Sequence, residues 1–206
     1  MAGSTRDTLV AAARELFATQ GYEATSVNDI LKKAGVNSGS LYYFFPGKRD
    51  LLLAVLDAYH DGISAMLLEP AWRGVDDPIE RVFALLARYR QALRMTRCTY
   101  GCPIGSLALE IHEPDPEVRQ RLADNFARWV GAIEQCLIDA GPRLPLDVDH
   151  RALATLALTT MEGGVMLART ERRLEPFDRA VAMLRWTFDH LEKSGPVRKR
   201  QRGRGP

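Results

Sequence analysis

Three features of the 206-residue sequence predict an all-α fold, with a small front unit of short helices followed by a larger helical body. Apolar residues recur every three or four positions along most of the chain. No segment sustains the two-residue alternation of a half-buried strand. Pro, Gly and Ser/Asp punctuation falls at helix-length intervals. About nine helices are expected. They divide into a front unit at 1–48 and a body at 49–194 that share the fourth helix, with a tail at 195–206.

Leu9, Ala12, Ala13, Leu16 and Phe17 form the stripe of an amphipathic first helix that ends near Gly21. A short second helix is predicted from about Val27 to Ala34. Ser26 with Asp29 three residues on makes a capping box with Asp in place of Glu, and Gly35 supplies the stop. A third helix runs from near Ser38 to just before Pro46. The fourth opens near Lys48 and places Leu52, Val55, Leu56, Tyr59 and Ile63 on one face. The segment from Pro70 to Pro78, with Gly74 inside it, is read as a break. Beyond it, helices are expected at roughly 78–96, 103–111, 116–140, 148–171 and 176–193. Pro78, Pro103, Pro116 and Pro176 stand at first helical positions, where a missing N–H costs nothing. Gly141-Pro142 ends the longest of these helices. The tail has Val197 as its one apolar residue and is expected to be disordered.

Hydrophobic residues make up 46% and charged residues 26% of the chain, enough for a real core. No uninterrupted apolar run approaches the ~18–20 residues of a membrane span. The start, MAGSTRDTLV, lacks a cationic stretch leading into an apolar block, so no membrane insertion or export is expected. Cys98, Cys102 and Cys136 have no zinc-finger spacing and suit a reducing cytoplasm better than a disulfide framework. A cytoplasmic location without metal or cofactor is the expectation. The net charge of +2 hides an uneven distribution. Lys193, Arg198, Lys199, Arg200, Arg202 and Arg204 crowd the end without an acid, leaving the rest at −4. Lys32, Lys33, Lys48 and Arg49 form a second acid-free zone. Either zone suits a polyanion. The alternative for each is a solvated surface that keeps the chain soluble.

The second and third helices have the size and punctuation of a helix-turn-helix. Ile30, Leu31, Ala34, Val36 and Leu41 can hold them together, and small Ala34 permits close approach. Asn37, Ser38, Ser40, Tyr42 and Tyr43 then face outward, short polar and aromatic groups suited to base edges and phosphates in a major groove. The run Ala24-Thr25-Ser26-Val27-x-Asp29-Ile30-x-x-x-Ala34-Gly35-Val36-x-x-Gly39-x-Leu41-Tyr42-x-x-Phe45-x-x-Lys48-x-x-Leu51 resembles the TetR family of regulators, over about residues 5–58. The resemblance implies a DNA-binding surface of Thr25, Ser26, Asn37, Ser38, Gly39, Ser40, Tyr42, Tyr43 and Lys48. Thr25, Tyr42 and Lys48 would bind phosphates, while Asn37, Ser38, Ser40 and Tyr43 would face bases or nearby backbone. Phe44 departs from the His or Tyr usual at its position and removes one phosphate donor. Apart from the resemblance, Tyr42 and Tyr43 also read as core or half-exposed aromatics, and Lys48 as a surface residue set unfavourably at a helix N-terminus.

In the body, Gly101-Cys102-Pro103-Ile104-Gly105-Ser106-Leu107-Ala108-Leu109-Glu110 and Met161-Glu162-Gly163-Gly164-Val165-Met166-Leu167-Ala168-Arg169 resemble the LmrA/YxaF-type subgroup. That resemblance implies a repressor released from a palindromic, double-stranded operator by an apolar, often aromatic, small-molecule inducer. Cys102, Phe126, Trp129, Met161, Glu162 and Met166 are candidate pocket residues, with plain core packing as the alternative. Gly163-Gly164 in mid-helix costs on the order of 1 kcal/mol per glycine, and close helix–helix approach is the favoured reason for it. The resemblance also implies a homodimer through the last two helices, with Leu153, Leu156, Thr160, Leu184, Phe188 and Leu191 as interface candidates. Independently, one short helix reads too few bases for useful discrimination, which favours two half-sites about 34–36 Å apart.

Two other readings stand beside this one. Cys102, just before Pro103, falls at a helix N-cap where a thiol becomes reactive, with Cys98 as a resolving partner in a redox- or electrophile-sensing regulator. A small buried cysteine is the bland version. An all-helical enzyme would draw on Cys98, Cys102, Glu110, His112 and Glu113, but no metal-ligand spacing, triad or phosphate loop accompanies them.

Overall fold

The computed structural model describes residues 4–111 and 115–194; the tail expected to be disordered, with His112 and Glu113, lies outside them. Among the described residues the fold is all-α, without strands. Helix α1 (Thr5–Gln20) is opened by a capping box between Ser4 and Asp7, whose side chains each accept the other's backbone N–H at 3.2 Å. Helix α2 (Val27–Ala34) begins as expected. Ser26 Oγ accepts Asp29 N–H at 3.1 Å, Asp29 accepts Ser26 N–H at 2.9 Å, and Gly35 closes the helix at φ +67°. Helix α3 is Ser38–Phe44.

Helix α4 spans Lys48–Trp72, so the break expected at Pro70 comes later. The chain stays helical because a π turn at Ser64–Leu68 widens the backbone just ahead of Pro70. A wider turn relieves the ring's clash with the preceding carbonyl, which would otherwise kink the helix. One 18-residue stretch of α4 has a mean hydropathy of 1.4, as apolar as some membrane spans. In its front half Leu51, Leu52, Val55 and Leu56 are fully buried inside the protein, and Asp57 and Asp61 interrupt the run.

The body follows as α5 (Pro78–Met95), α6 (Pro103–Glu110), α7 (Pro116–Ala140), α8 (His150–Glu171) and α9 (Glu175–Ser194). Asp77, Asp115 and Asp149 cap α5, α7 and α8, and Pro78, Pro103 and Pro116 occupy first helical positions. Two hydrophobic cores result. The first joins α1 to α3 with the front half of α4, and also takes in Leu107 of α6 and Val118 and Leu122 of α7. The front unit therefore shares its interior with the body. The second core lies among α5, α7, α8 and α9, and Tyr89 and Phe126 border both.

The paired glycines of α8 divide their roles. A Cβ on Gly164 would meet the Phe177 ring at 2.9 Å, so this residue permits the close approach of α8 and α9. A Cβ on Gly163 would meet nothing within 4 Å, and close approach within the protomer does not explain it.

Candidate nucleic-acid interface and ligand cavity

Helix α3 is anchored from one side. Leu41 is fully buried beside Ile30, while Tyr42 is 56% and Tyr43 82% exposed. Asn37, Ser38 and Gly39 are also exposed, and Ser40 is half-buried. The aromatic pair is therefore offered to solvent instead of serving as core. Asn37 Oδ1 accepts the backbone N–H of Ser40 at 2.9 Å and its hydroxyl at 3.1 Å, which caps α3 and leaves the Asn37 amide N–H groups outward. Ser26 spends its hydroxyl on the α2 cap, donating to Asp29 at 2.6 Å. That partner holds the Asp29 carboxyl below its ordinary pKa. Phe44 is partly exposed, edge-on to Tyr43 with ring centroids 4.8 Å apart.

Two predicted phosphate ligands make their contacts within the protein. Thr25 is only 1% exposed, and its hydroxyl donates inward to the Gly21 carbonyl at 2.6 Å. Lys48 donates to the carbonyls of Tyr22 at 2.7 Å and Thr25 at 3.0 Å, with its ammonium 4.2 Å from the Tyr22 ring centre. These carbonyls and the ring offset the cost of a cation at a helix N-terminus, so no phosphate is needed to explain it.

The same loop is gripped from the body. Glu110, the last residue of α6, accepts the backbone N–H of Tyr22 at 2.9 Å and of Glu23 at 2.7 Å through its two oxygens. Gly21, at φ +93°, has no Cβ to obstruct that carboxylate, which would lie 2.8 Å from one. A second tie joins the starts of α4 and α7. Arg49 donates to Asp115 at 2.6 and 3.0 Å and to Glu117 at 2.7 Å. The guanidinium hydrogen bonds hold the Asp115 carboxyl down at about 2.

Between the two cores lies a cavity of about 500 Å³, walled by α4, α5, the start of α6, α7 and α8. Cys102, Phe126, Trp129, Met161 and Glu162 line it. Met166, half exposed, lines instead an adjoining cleft that shares Cys102, Phe126 and Glu162. Tyr59, Tyr89 and Tyr100 also line the cavity and escaped sequence reasoning. Tyr59 carried a signal, since it lies on the apolar stripe of α4; Tyr89 and Tyr100 carried none that separates wall from core. The π turn contributes Met66 and Leu67 to the wall. Asn125, also on the wall, donates to the Leu56 carbonyl of α4 at 3.1 Å.

Trp129 Nε1 and Glu162 Oε1 are buried on this wall, the indole beside Tyr89 and the carboxyl beside the Cys102 thiol. Burial pushes the Glu162 carboxyl above its ordinary pKa. Cys102 does cap α6, as expected, but its thiol is not activated. Burial, then the neighbouring Glu162, push it far up, outweighing the α6 backbone N–H groups that act the other way. Cys98 packs in the second core and Cys102 in the first, both buried and unbridged.

The interface candidates divide by exposure. Leu153, Leu184 and Phe188 face into the protomer and are buried; Leu156 is 44% exposed, while Thr160 and Leu191 are half-buried. A stripe on α8 or α9 does not reveal which face its own core consumes. The outward apolar residues of this helix pair include Leu156, Leu167, Met183 and Trp186.

A compact helix-turn-helix clamped to an all-helical body with a cavity is an arrangement suited to a DNA-binding regulator. The comparisons agree. Residues 9–55 match the profile of the bacterial regulatory proteins of the tetR family, and residues 78–183 that of the LmrA/YxaF-like transcriptional regulator C-terminal domain. An uncharacterised HTH-type transcriptional regulator of Mycobacterium tuberculosis is 34% identical over 186 residues, covering 87% of this chain and 92% of the relative. The HTH-type transcriptional regulator LmrA of Bacillus subtilis is 28% identical over 175 residues, covering 84% and 91%. A TetR regulatory protein of Rhodobacter sphaeroides has a crystal structure matching at a TM-score of 0.77 with 27% identity, covering 87% of this chain and 96% of that one. The chain belongs to the TetR family of transcriptional regulators, with an LmrA/YxaF-like C-terminal domain. Its relatives are regulators, not enzymes. Among the described residues no group of three His, Cys, Asp or Glu stands within metal-binding reach.

Proposed function

We propose that this chain is a ligand-responsive repressor. As a dimer it holds two copies of α3 in successive major grooves of a palindromic operator, and it lets go when a small apolar or aromatic compound fills the cavity. The observation that carries this reading is the position of the cavity. Its wall includes the rear of α4, whose front half is core to the DNA unit, and the start of α6, whose last residue grips the loop at 21–23. Occupancy that shifts either helix must therefore re-aim α3. Repression is supported by the likeness to the HTH-type transcriptional repressor DhaR of Mycobacterium sp., 25% identical to this chain over 181 residues.

The DNA contacts proposed are Asn37, Ser38, Gly39, Ser40, Tyr42 and Tyr43, with Ser26 alongside. Thr25 and Lys48 act by shaping the loop. Dimerisation uses the outward faces of α8 and α9, where Leu156, Leu167, Met183 and Trp186 lie uncovered. A resting Cys102 thiol that favours its protonated form speaks against a redox switch.

The test is selection of bound sequences from random duplex DNA by the purified protein, followed by screening of aromatic compounds for release. A palindromic site is expected, with Asn37→Ala or Ser40→Ala altering base preference and Tyr42→Ala weakening all DNA. A monomer indifferent to every duplex would overturn the reading.

A further inference from the structure

The basic residues at 198–204 have no part in the proposed operator contact, and the fold shows where they are mounted. Helix α7 starts beside the front unit, where Arg49 of α4 holds Asp115 and Glu117. Its 25 residues carry it about 36 Å away. Just past its far end, Arg143 donates to Glu192 of α9 at 2.8 Å and to Asp77 ahead of α5. Helix α9 ends two residues later, at Ser194. The chain therefore leaves the body at the pole opposite the front unit.

Beyond Ser194 come Arg198, Lys199, Arg200, Arg202 and Arg204, with no acid among them. Even a fully stretched chain covers at most about 33–36 Å from Ser194 to Arg204. Arg204 can thus reach the near edge of the front unit at best, and Arg198 can reach no farther than about 14 Å from Ser194. A duplex on the exposed face of α3 lies beyond that edge, out of reach of the cluster.

The elements that meet at this pole expose Asp76, Asp139, Asp147 and Asp149, so the folded surface there repels a polyanion. Attraction comes from the tail alone. Val197 is its one apolar residue, which leaves nothing to insert into a bilayer, whereas guanidinium groups pair with phosphates in bidentate fashion.

We infer that residues 195–206 bind the phosphate backbone of a second duplex, so that a dimer seated on its operator bridges two DNA segments. The contact is electrostatic and selects no sequence. It goes beyond the proposed repressor function and depends on it only for the first duplex.

Operator duplex cut to the selected site is immobilised and loaded with the full chain, and a labelled duplex lacking the site is then offered. Capture of the second duplex is expected, falling steeply as salt rises. Two variants are compared: one lacks residues 195–206, and the other combines Arg198→Gln, Lys199→Gln, Arg200→Gln, Arg202→Gln and Arg204→Gln. Each should capture at least about tenfold less, because several phosphate contacts are lost, while affinity for the cut operator stays within about twofold. Undiminished capture by either variant overturns the inference. So does an absence of capture by the full chain, the result expected if the tail folds onto the carboxylates of its own pole. A loss of operator affinity as large as the loss of capture would put the tail on the bound site, and overturns it too. If phosphatidylserine vesicles displace the labelled duplex at lower phosphate concentration than unlabelled duplex does, the partner is a membrane and the inference fails. In each of these cases the loaded operator leaves the repressor reading standing; failure to load it sinks both.

Discussion

Removing the Glu110 carboxylate should loosen the grip of the body on the DNA unit without dismantling either. Glu110 ends α6, where a negative charge opposes the helix dipole. It is held there by two backbone N–H groups of the loop, at 2.9 and 2.7 Å. A hydrogen bond to a charged acceptor contributes about 1.5–3 kcal/mol, at the low end when half-solvated, and relief of the dipole returns a few tenths. Glu110→Ala should therefore cost about 2 kcal/mol, read as a fall of about 4–8 °C in Tm for a domain this size. Glu110→Gln, which keeps one acceptor, should cost about half as much. If α6 carries the ligand signal, operator affinity should change little, while the compound concentration needed for release rises roughly tenfold. Calorimetric melting and a DNA-release titration read both effects. A Glu110→Ala protein that melts and responds like the parent would refute the clamp and leave the ligand signal to α4.

The two glycines of α8 should respond with opposite sign in urea unfolding. Gly163→Ala gains about 0.5–1 kcal/mol of helix propensity in open space, whereas Gly164→Ala loses about 1–3 kcal/mol against Phe177. Destabilisation of both would mean that the partner protomer crosses α8 at Gly163. Acid should weaken the junction of α4 and α7. The Asp115 carboxyl, held near 2 by Arg49, lies below its value in the unfolded chain. Its contribution is complete above about pH 4 and is lost as pH falls towards 2. The Tm gap between the parent and Asp115→Asn should accordingly close over that interval, and a gap that persists at pH 2 would count against the ion pair.

Much of this architecture could be read from residues alone. Caps are local chemistry, so Ser26 with Asp29, Gly35 and the prolines at 78, 103 and 116 marked helix ends to within a residue or two. The exposed α3 surface followed from a motif whose spacing is itself local. Pro70 misled because its disruption was absorbed one turn earlier by a π turn, an adjustment with no sequence mark.

What only the tertiary structure decided is which partner each side chain meets. Lys48 and Glu110 each sit at the wrong end of a helix by charge. The folded chain brings both to one loop, whose carbonyls and N–H groups satisfy them from opposite sides. Cys102 looked activated by its cap position until the fold buried it beside Glu162. Leu184 and Phe188 looked available to a second protomer until their own core claimed them. Periodicity says that a residue is apolar and on a given stripe; it does not say what lies across from that stripe. That depends on how five helices, distant along the chain, pack around the same cavity.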